Sequence, residues 1–309
     1  MKILRYLLLG GALSSSLLYT QTTVYNNPET KTAIGIGITQ GFRYDRVKWS
    51  VSAPRHVPNV LSELTYRHIH IYNTRLVTTI TKDAFFGDLR LGYGRVFDGT
   101  VQDSDYLKSN RKGEFSRSYS DIDGDYVGTI SLRVGKEYKA SSKTTFIPLI
   151  GYMWEQEKLR STHGRQTQIG KKKVHKRIRK LNSTSKNRWD APFIGAKLAY
   201  DMCPTIRLTG EYNFIFPIQY HGYGHWNLRH LHFHERSERS RGIGNLLIAG
   251  ASWQVSEAWR FTSEYEFSYL KASGGTDTSK VRHHHTIRQP FHQAKRTSSE
   301  IRFGVEFVF

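Results

Sequence analysis

The last seventeen residues, 293–309, constrain this chain most. Reading back from the C-terminus, Phe309, Phe307, Val305, Phe303 and Ile301 fall on one face of an extended strand, and Glu306, Gly304 and Arg302 fall on the other. Strand side chains alternate between faces with period two, so this is a continuous apolar, aromatic face backed by a largely polar one. The last strand of a soluble sandwich can alternate in the same way. A continuous aromatic face is better matched to lipid, and apolar-out, polar-in alternation is the pattern of an outer-membrane β-barrel.

The other end of the chain agrees. Lys2 and Arg5 precede an apolar run, Tyr6–Leu18, broken by small residues, so residues 1–20 read as a secretory signal peptide. The run is shorter than the ~20 apolar residues of a membrane-spanning helix, and no later stretch is apolar enough to span as one. Residues 21–309 then form the barrel. Cys203 is the single cysteine, so no intrachain disulfide staples the fold. Aromatics reach 13% with 18 tyrosines, which suits girdles at two membrane interfaces around a wet lumen. The formal net charge of +20 requires an anionic partner. An exported barrel rarely meets nucleic acid, so none is expected, whereas the phosphates of lipopolysaccharide lie close by.

Ten alternating segments can be read, at about 33–48, 60–81, 85–96, 126–138, 144–162, 187–200, 205–220, 240–255, 259–270 and 293–309. Four short turns and five longer connections join them in strict alternation. The expected fold is all-β: a ten-stranded antiparallel transmembrane β-barrel of the Gram-negative outer membrane, with periplasmic termini and five extracellular loops. Several segments exceed the ~10 residues needed to span, so they should project above the membrane on the long-loop side. Residues 98–124, 164–186, 221–239 and 271–292 read as loops, the second strongly basic from Lys171 to Lys180.

Three motifs then carry a family resemblance: Tyr44-Asp45-Arg46-Val47, Val101-Gln102-Asp103-Ser104-Asp105-Tyr106 and Arg188-Trp189-Asp190-Ala191-Pro192-Phe193-Ile194-Gly195. With their spacing to the terminal Phe, they resemble the omptins, outer-membrane endopeptidases with an active site at the extracellular mouth. The resemblance implies catalysis by a water held between an Asp pair, Asp103 and Asp105, and a histidine, His225. It also implies a peptide or protein substrate contacted by Asp45 and His221. Arg188 and Lys158 match the role of lipopolysaccharide ligands, with lipopolysaccharide needed for activity and no other cofactor. Arg suits phosphate because its fork binds bidentately.

The chain departs from this pattern at Tyr223, which stands where omptins carry the aspartate that partners the histidine. No Asp occurs from residue 202 to 276. Losing the carboxylate that orients a catalytic histidine costs about 10⁴ in rate in the serine-protease case. The alternative reading is therefore a catalytically degenerate omptin-like barrel acting as a basic surface adhesin or binding protein, with anionic host surfaces as partners. The histidines at 230, 232, 234 and 283–285 read as pH-sensitive loops, and no metal site is assigned.

Overall fold

The phase of the hydrophobic alternation changes partway along the strands, and this change organises the architecture. In β1 (Thr32–Val51), Ile34, Ile36, Ile38, Phe42 and Tyr44 point outward and are exposed. From three residues on, the apolar positions are Val47, Trp49 and Val51, which point inward and are buried, while Arg46 and Lys48 point outward. An outer wall in lipid must be apolar and its lumen can be polar; a wall rising into water needs the reverse. The switch at Asp45–Arg46 marks where the barrel leaves the membrane.

The computed structural model describes residues 32–228, 233–281 and 285–309. The expected signal segment, Arg229, His230, His232 and the His283–His284 pair lie outside the described residues, as do the side chains of His234, Arg239 and His285. After β1 come β2 (Ser62–Lys82), β3 (Phe85–Lys108), β4 (Lys112–Ile122), β5 (Tyr126–Lys136) and β6 (Tyr138–Lys139). Then follow β7 (Thr144–Ile169), β8 (Lys172–Ile178), β9 (Ser183–Cys203), β10 (Ile206–Trp226) and β11 (Phe233–Gln254). Last are β12 (Trp259–Ser273), β13 (Thr276–Val281) and β14 (His285–Val308).

All pairings are antiparallel, and the sheet closes on itself where Gly35 of β1 pairs with Val308 of β14. Going round, the staves are β1, β2, β3, β5, β7, β9, β10, β11, β12 and β14, the ten expected. Short turns near 83–84, 137–143, 204–205 and 255–258 lie at one end, and the longer connections at the other. Exposed Phe85, Tyr138, Trp253, Trp259 and Phe309 ring the short-turn end, and Tyr44, Tyr93 and Tyr152 band the wall higher up.

The expected loops are mostly strand. Residues 98–124 form a hairpin of β3 and β4, and 164–186 a hairpin of β7 and β8 leading into β9. In the same way β10 and β11 extend through much of 221–239, and β13 pairs with β14 within 271–292. Both faces of such hairpins meet water or a small core, so they carry no long apolar stripe to read, although their backbones still need partners.

Within the membrane belt the lumen is filled by an ion-pair network. Arg133 donates to Glu211 at 2.7 Å and to Asp88 at 2.7 Å across the interior, and Arg90 also reaches Asp88. Arg302 contacts Glu264 and Glu266, each at 2.9 Å, and Arg75 contacts Glu266 and Glu300. Above this network an apolar core spans the barrel: Val47, Trp49, Leu64, Tyr66, Trp189, Tyr220, Leu270 and Phe291 are all buried.

Glu157 lies between the two layers, five residues beyond Tyr152 and above the upper aromatic band. It is fully buried and accepts a hydrogen bond from Asn187 at 3.0 Å. Burial, and then the charge of Asp45, push its carboxyl up to about 8 against the pull of Arg43 and Asn187.

Two predictions follow from this interior. Arg133→Met strands Asp88 and Glu211 and should lower the unfolding free energy by about 3–5 kcal/mol, read from urea midpoints of refolded protein in micelles. Glu157 stays protonated in the folded state between pH 4.5 and about 8, where the unfolded chain has released its proton. Stability from this group is therefore complete below pH 4.5 and lost as pH rises toward 8. Relative to Glu157→Gln, wild type should lose up to about 1.4 kcal/mol per pH unit across that window.

Candidate functional site

Asp103 and Asp105 lie at the long-connection end of β3, and a register irregularity decides which way they face. Lower on β3 the inward residues are even-numbered, among them Asp88, Arg90 and Val96. The β2–β3 register shifts between the pairs Arg67–Thr100 and Ile71–Val96, after which Val101 is the buried residue. A bulge moves the alternation by one residue and so exchanges the faces. Asp103 pairs across the sheet with Leu64 of the apolar core, and Asp105 with Ser62. On the other face, Gln102 donates to Ser104 at 2.9 Å. The two carboxylates therefore share the inward face, half-buried, as their spacing in an extended strand implies.

A second irregularity turns the histidines away. Low on β10, Glu211, Asn213 and Ile215 point inward. The register then shifts at Phe216–Pro217, where proline has no N–H to give the ladder. Beyond it Ile218 and Tyr220 are buried, and Gly222, Gly224 and Trp226 continue their face. His221, Tyr223 and His225 thus fall on the outer face, paired across β9 with Arg188, Lys186 and Thr184. The guanidinium of Arg236 lies 5.4 Å from the centre of the Tyr223 ring on that side. Burial, and then the charge of Arg188, lower the pKa of His221.

The structure therefore brings Asp103 and Asp105 together and leaves His225 and His221 on the opposite face of their wall. Asp45 does point inward, but it is fully buried and held by Arg43 through two hydrogen bonds of 2.8 and 2.5 Å. Arg43 also contacts Glu155 at 2.6 Å, so Asp45 belongs to the interior network and not to an open groove. Asp277 is buried on the inward side of its strand, accepting from Ser237 at 2.8 Å and Gln289 at 3.3 Å. It too is separated from His225 by the sheet.

Aromatic side chains fill the mouth at this level. Trp189 lies 4.6 Å from Tyr220 between ring centres, and Tyr220 stacks on Phe291 at 5.5 Å. Trp49 spans from β1 to donate its indole N–H to Ser237 of β11 at 3.1 Å. The Tyr220 hydroxyl donates to Asn187 at 2.6 Å, tying the stack to Glu157 below. Above this layer, Trp49, Leu64, Tyr66, Gly222, Gly224 and Trp226 border a narrow cleft with room for little more than a water, about 10 Å³. A Cβ on Gly224 would stand 2.8 Å from the Trp226 indole nitrogen, so only glycine lets that ring lie down.

Arg188 and Lys158 both face outward, Arg188 paired with Asp190 at 2.8 Å and Lys158 with Asp125 at 3.2 Å. The β7–β8 hairpin above them is densely cationic. Arg165 pairs directly with Arg177, and Lys173 and Lys176 stand opposite Gln168 and Gln166. None of the cations from Arg165 to Lys180 has an ion-pair partner among the described residues. The aromatic layer was missed in the sequence, yet Val47-x-Trp49-x-Val51 beyond Tyr44 carries its signal.

The model of the Protochlamydia outer membrane protein family (Pom) matches residues 37–309. Among solved structures, the outer membrane protease OmpT from Escherichia coli superposes with a TM-score of 0.78 at 12% identity, over 94% of this chain and 100% of that one. The translocator domain of the autotransporter NalP from Neisseria meningitidis reaches 0.39 at 11% identity, over 99% of this chain and 94% of that one. No curated protein matches the sequence. At such identities OmpT shares the fold, and shared chemistry does not follow. The family match spans nearly the whole barrel, so this chain belongs to the Protochlamydia outer membrane protein family and is a β-barrel embedded in the outer membrane.

Proposed function

We propose that this barrel is a cell-surface binding protein for anionic polymers, built on an omptin-like scaffold without omptin-like proteolysis. The carrying observation is the opposite facing of the two halves of the expected site. Asp103 and Asp105 point into the barrel, His225 points out of it, and the aromatic layer occupies the place of a substrate groove. The imidazole of His225 lies on the other side of the wall from a water held between these carboxylates, and general base catalysis requires hydrogen-bond reach.

The binding reading rests on charge. The long-connection end is extracellular by the topology rule for these barrels. It presents the β7–β8 hairpin, whose exposed Lys171, Lys172, Lys173, Lys176 and Arg177 repel one another unless an anion bridges them. Sulfated or phosphorylated glycans of a host surface supply such an anion, which makes the protein adhesin-like. Arg188 and Lys158 face the height where lipopolysaccharide phosphate would lie, and contact with it fits their outward placement. An ion-lined, filled lumen and only ten staves do not favour a general diffusion pore.

One preparation tests both readings. Refolded protein with lipopolysaccharide present should cut a diverse peptide library no faster than the Asp103→Ala/Asp105→Ala variant. On immobilised heparin, wild type should elute at clearly higher salt than a Lys171→Gln/Lys172→Gln/Lys173→Gln/Lys176→Gln variant. Cleavage that vanishes in the aspartate variant would restore the endopeptidase reading, and equal elution would overturn the binding one.

A further inference from the structure

The wall formed by β1, β14 and β12 carries ordered rows on its outer face. Phe42, Ile301 and Tyr265 lie in register, all exposed, as the uppermost fully apolar row. Two rows higher come Arg46, Thr297 and Tyr269, and then Lys48, Lys295 and Lys271. Three lysines thus stand side by side on three adjacent strands. Neighbouring strands are ~4.8 Å apart, and like charges directly opposite destabilise a sheet.

The protein does little to relieve this repulsion. Among the described residues Glu63 is the one carboxylate at the row; it accepts from Lys48 at 3.1 Å and is also clasped by Arg111. Burial raises the Glu63 pKa, but those two cations outweigh it and hold the carboxyl below its ordinary value. Lys271, Lys295 and Arg46 have no ion-pair partner among the described residues. Burial, and then Lys271, Lys48 and Arg111, depress the Lys295 ammonium, so the cluster strains its own charge. The neighbouring His292, hydrogen-bonded to Ser50 at 2.9 Å, is lowered by burial and then by Arg111.

We propose that Lys48, Lys271 and Lys295 form a binding site for the phosphate of an outer-leaflet lipid, with Arg46 reaching the same headgroup from below. The position selects a lipid over a soluble anion. At ~3.3 Å per residue and a strand tilt of ~40°, the lysine row stands roughly 10 Å above Tyr44, and the headgroup layer is about 5–7 Å deep on each side. Lysine stems lying down along the wall close that gap. Acyl chains then run along Phe42, Ile301 and Tyr265 directly below. This wall is on the far side of the barrel from Arg188 and Lys158, so the site is independent of theirs and of any ligand of the basic hairpin.

The test uses the full refolded barrel in zwitterionic detergent, titrated with diphosphorylated lipid A and with the same lipid dephosphorylated; retained lipid is counted by native mass spectrometry. Wild type should bind the phosphorylated lipid at least tenfold more tightly than the dephosphorylated one. In a Lys158→Gln/Arg188→Gln background, which removes the other proposed phosphate contact, Lys48→Gln/Lys271→Gln/Lys295→Gln should lose most of that preference while keeping the heat-modifiable gel shift of a folded barrel. A charge-matched control at the short-turn end, Lys82→Gln/Lys139→Gln/Lys143→Gln, should keep it. Equal loss in the control would show a net-charge effect and overturn the site, as would an unchanged preference in the lysine-row variant. Displacement of the lipid by equimolar inorganic phosphate would overturn the commitment to a lipid.

Discussion

One barrel wall must satisfy two solvents, and the rest of the structure depends on how it does so. Inside the bilayer the outer face has to be apolar, which leaves the lumen as the place for polar side chains. Above the bilayer the outer face meets water, and burial of apolar area moves to the inside. The chain follows both demands along single strands: Ile34, Ile36 and Ile38 outward, then Val47, Trp49 and Val51 inward. The lower interior is consequently an ion-pair network and the upper interior an apolar core.

This layering also separates the barrel fold, which the chain shares with an outer membrane protease, from the side chains at its mouth. Ten staves of this length produce a barrel that projects beyond the membrane whatever its mouth contains. What the mouth does depends on which side chains turn inward there. In this chain Trp189, Tyr220, Phe291 and Trp49 do, with Asp45 locked beneath them by Arg43. A close-packed aromatic layer held by the Trp49–Ser237 and Tyr220–Asn187 hydrogen bonds stabilises the rim of the barrel and leaves little room for an extended peptide.

Charge follows the same geometry. Inside, Glu211, Glu264, Glu266 and Glu300 neutralise arginines, so the excess of cations is left on the outer surfaces. There it appears as the β7–β8 hairpin and as the lysine row over β1, β14 and β12. Because the paired charges of the lumen largely cancel, the net charge of +20 is carried by the outer surfaces.

The sequence by itself determined the fold class and the ten staves, because period-two alternation bounded by four short turns survives in lipid-facing strands such as Phe303–Phe309. It also determined that Asp103 and Asp105 share a face, since two residues apart in an extended strand always do. It showed less of the hairpins above the membrane, whose faces are both polar, and missed the aromatic layer, which assembles from β1, β9, β10 and β14. Only the tertiary structure decided which way the site residues look. A one-residue shift near Phe97–Asp98 turns the aspartates in, and another at Phe216–Pro217 turns His221 and His225 out. A bulge reverses every side chain beyond it, and its place depends on the neighbouring strand's register, which no local pattern records.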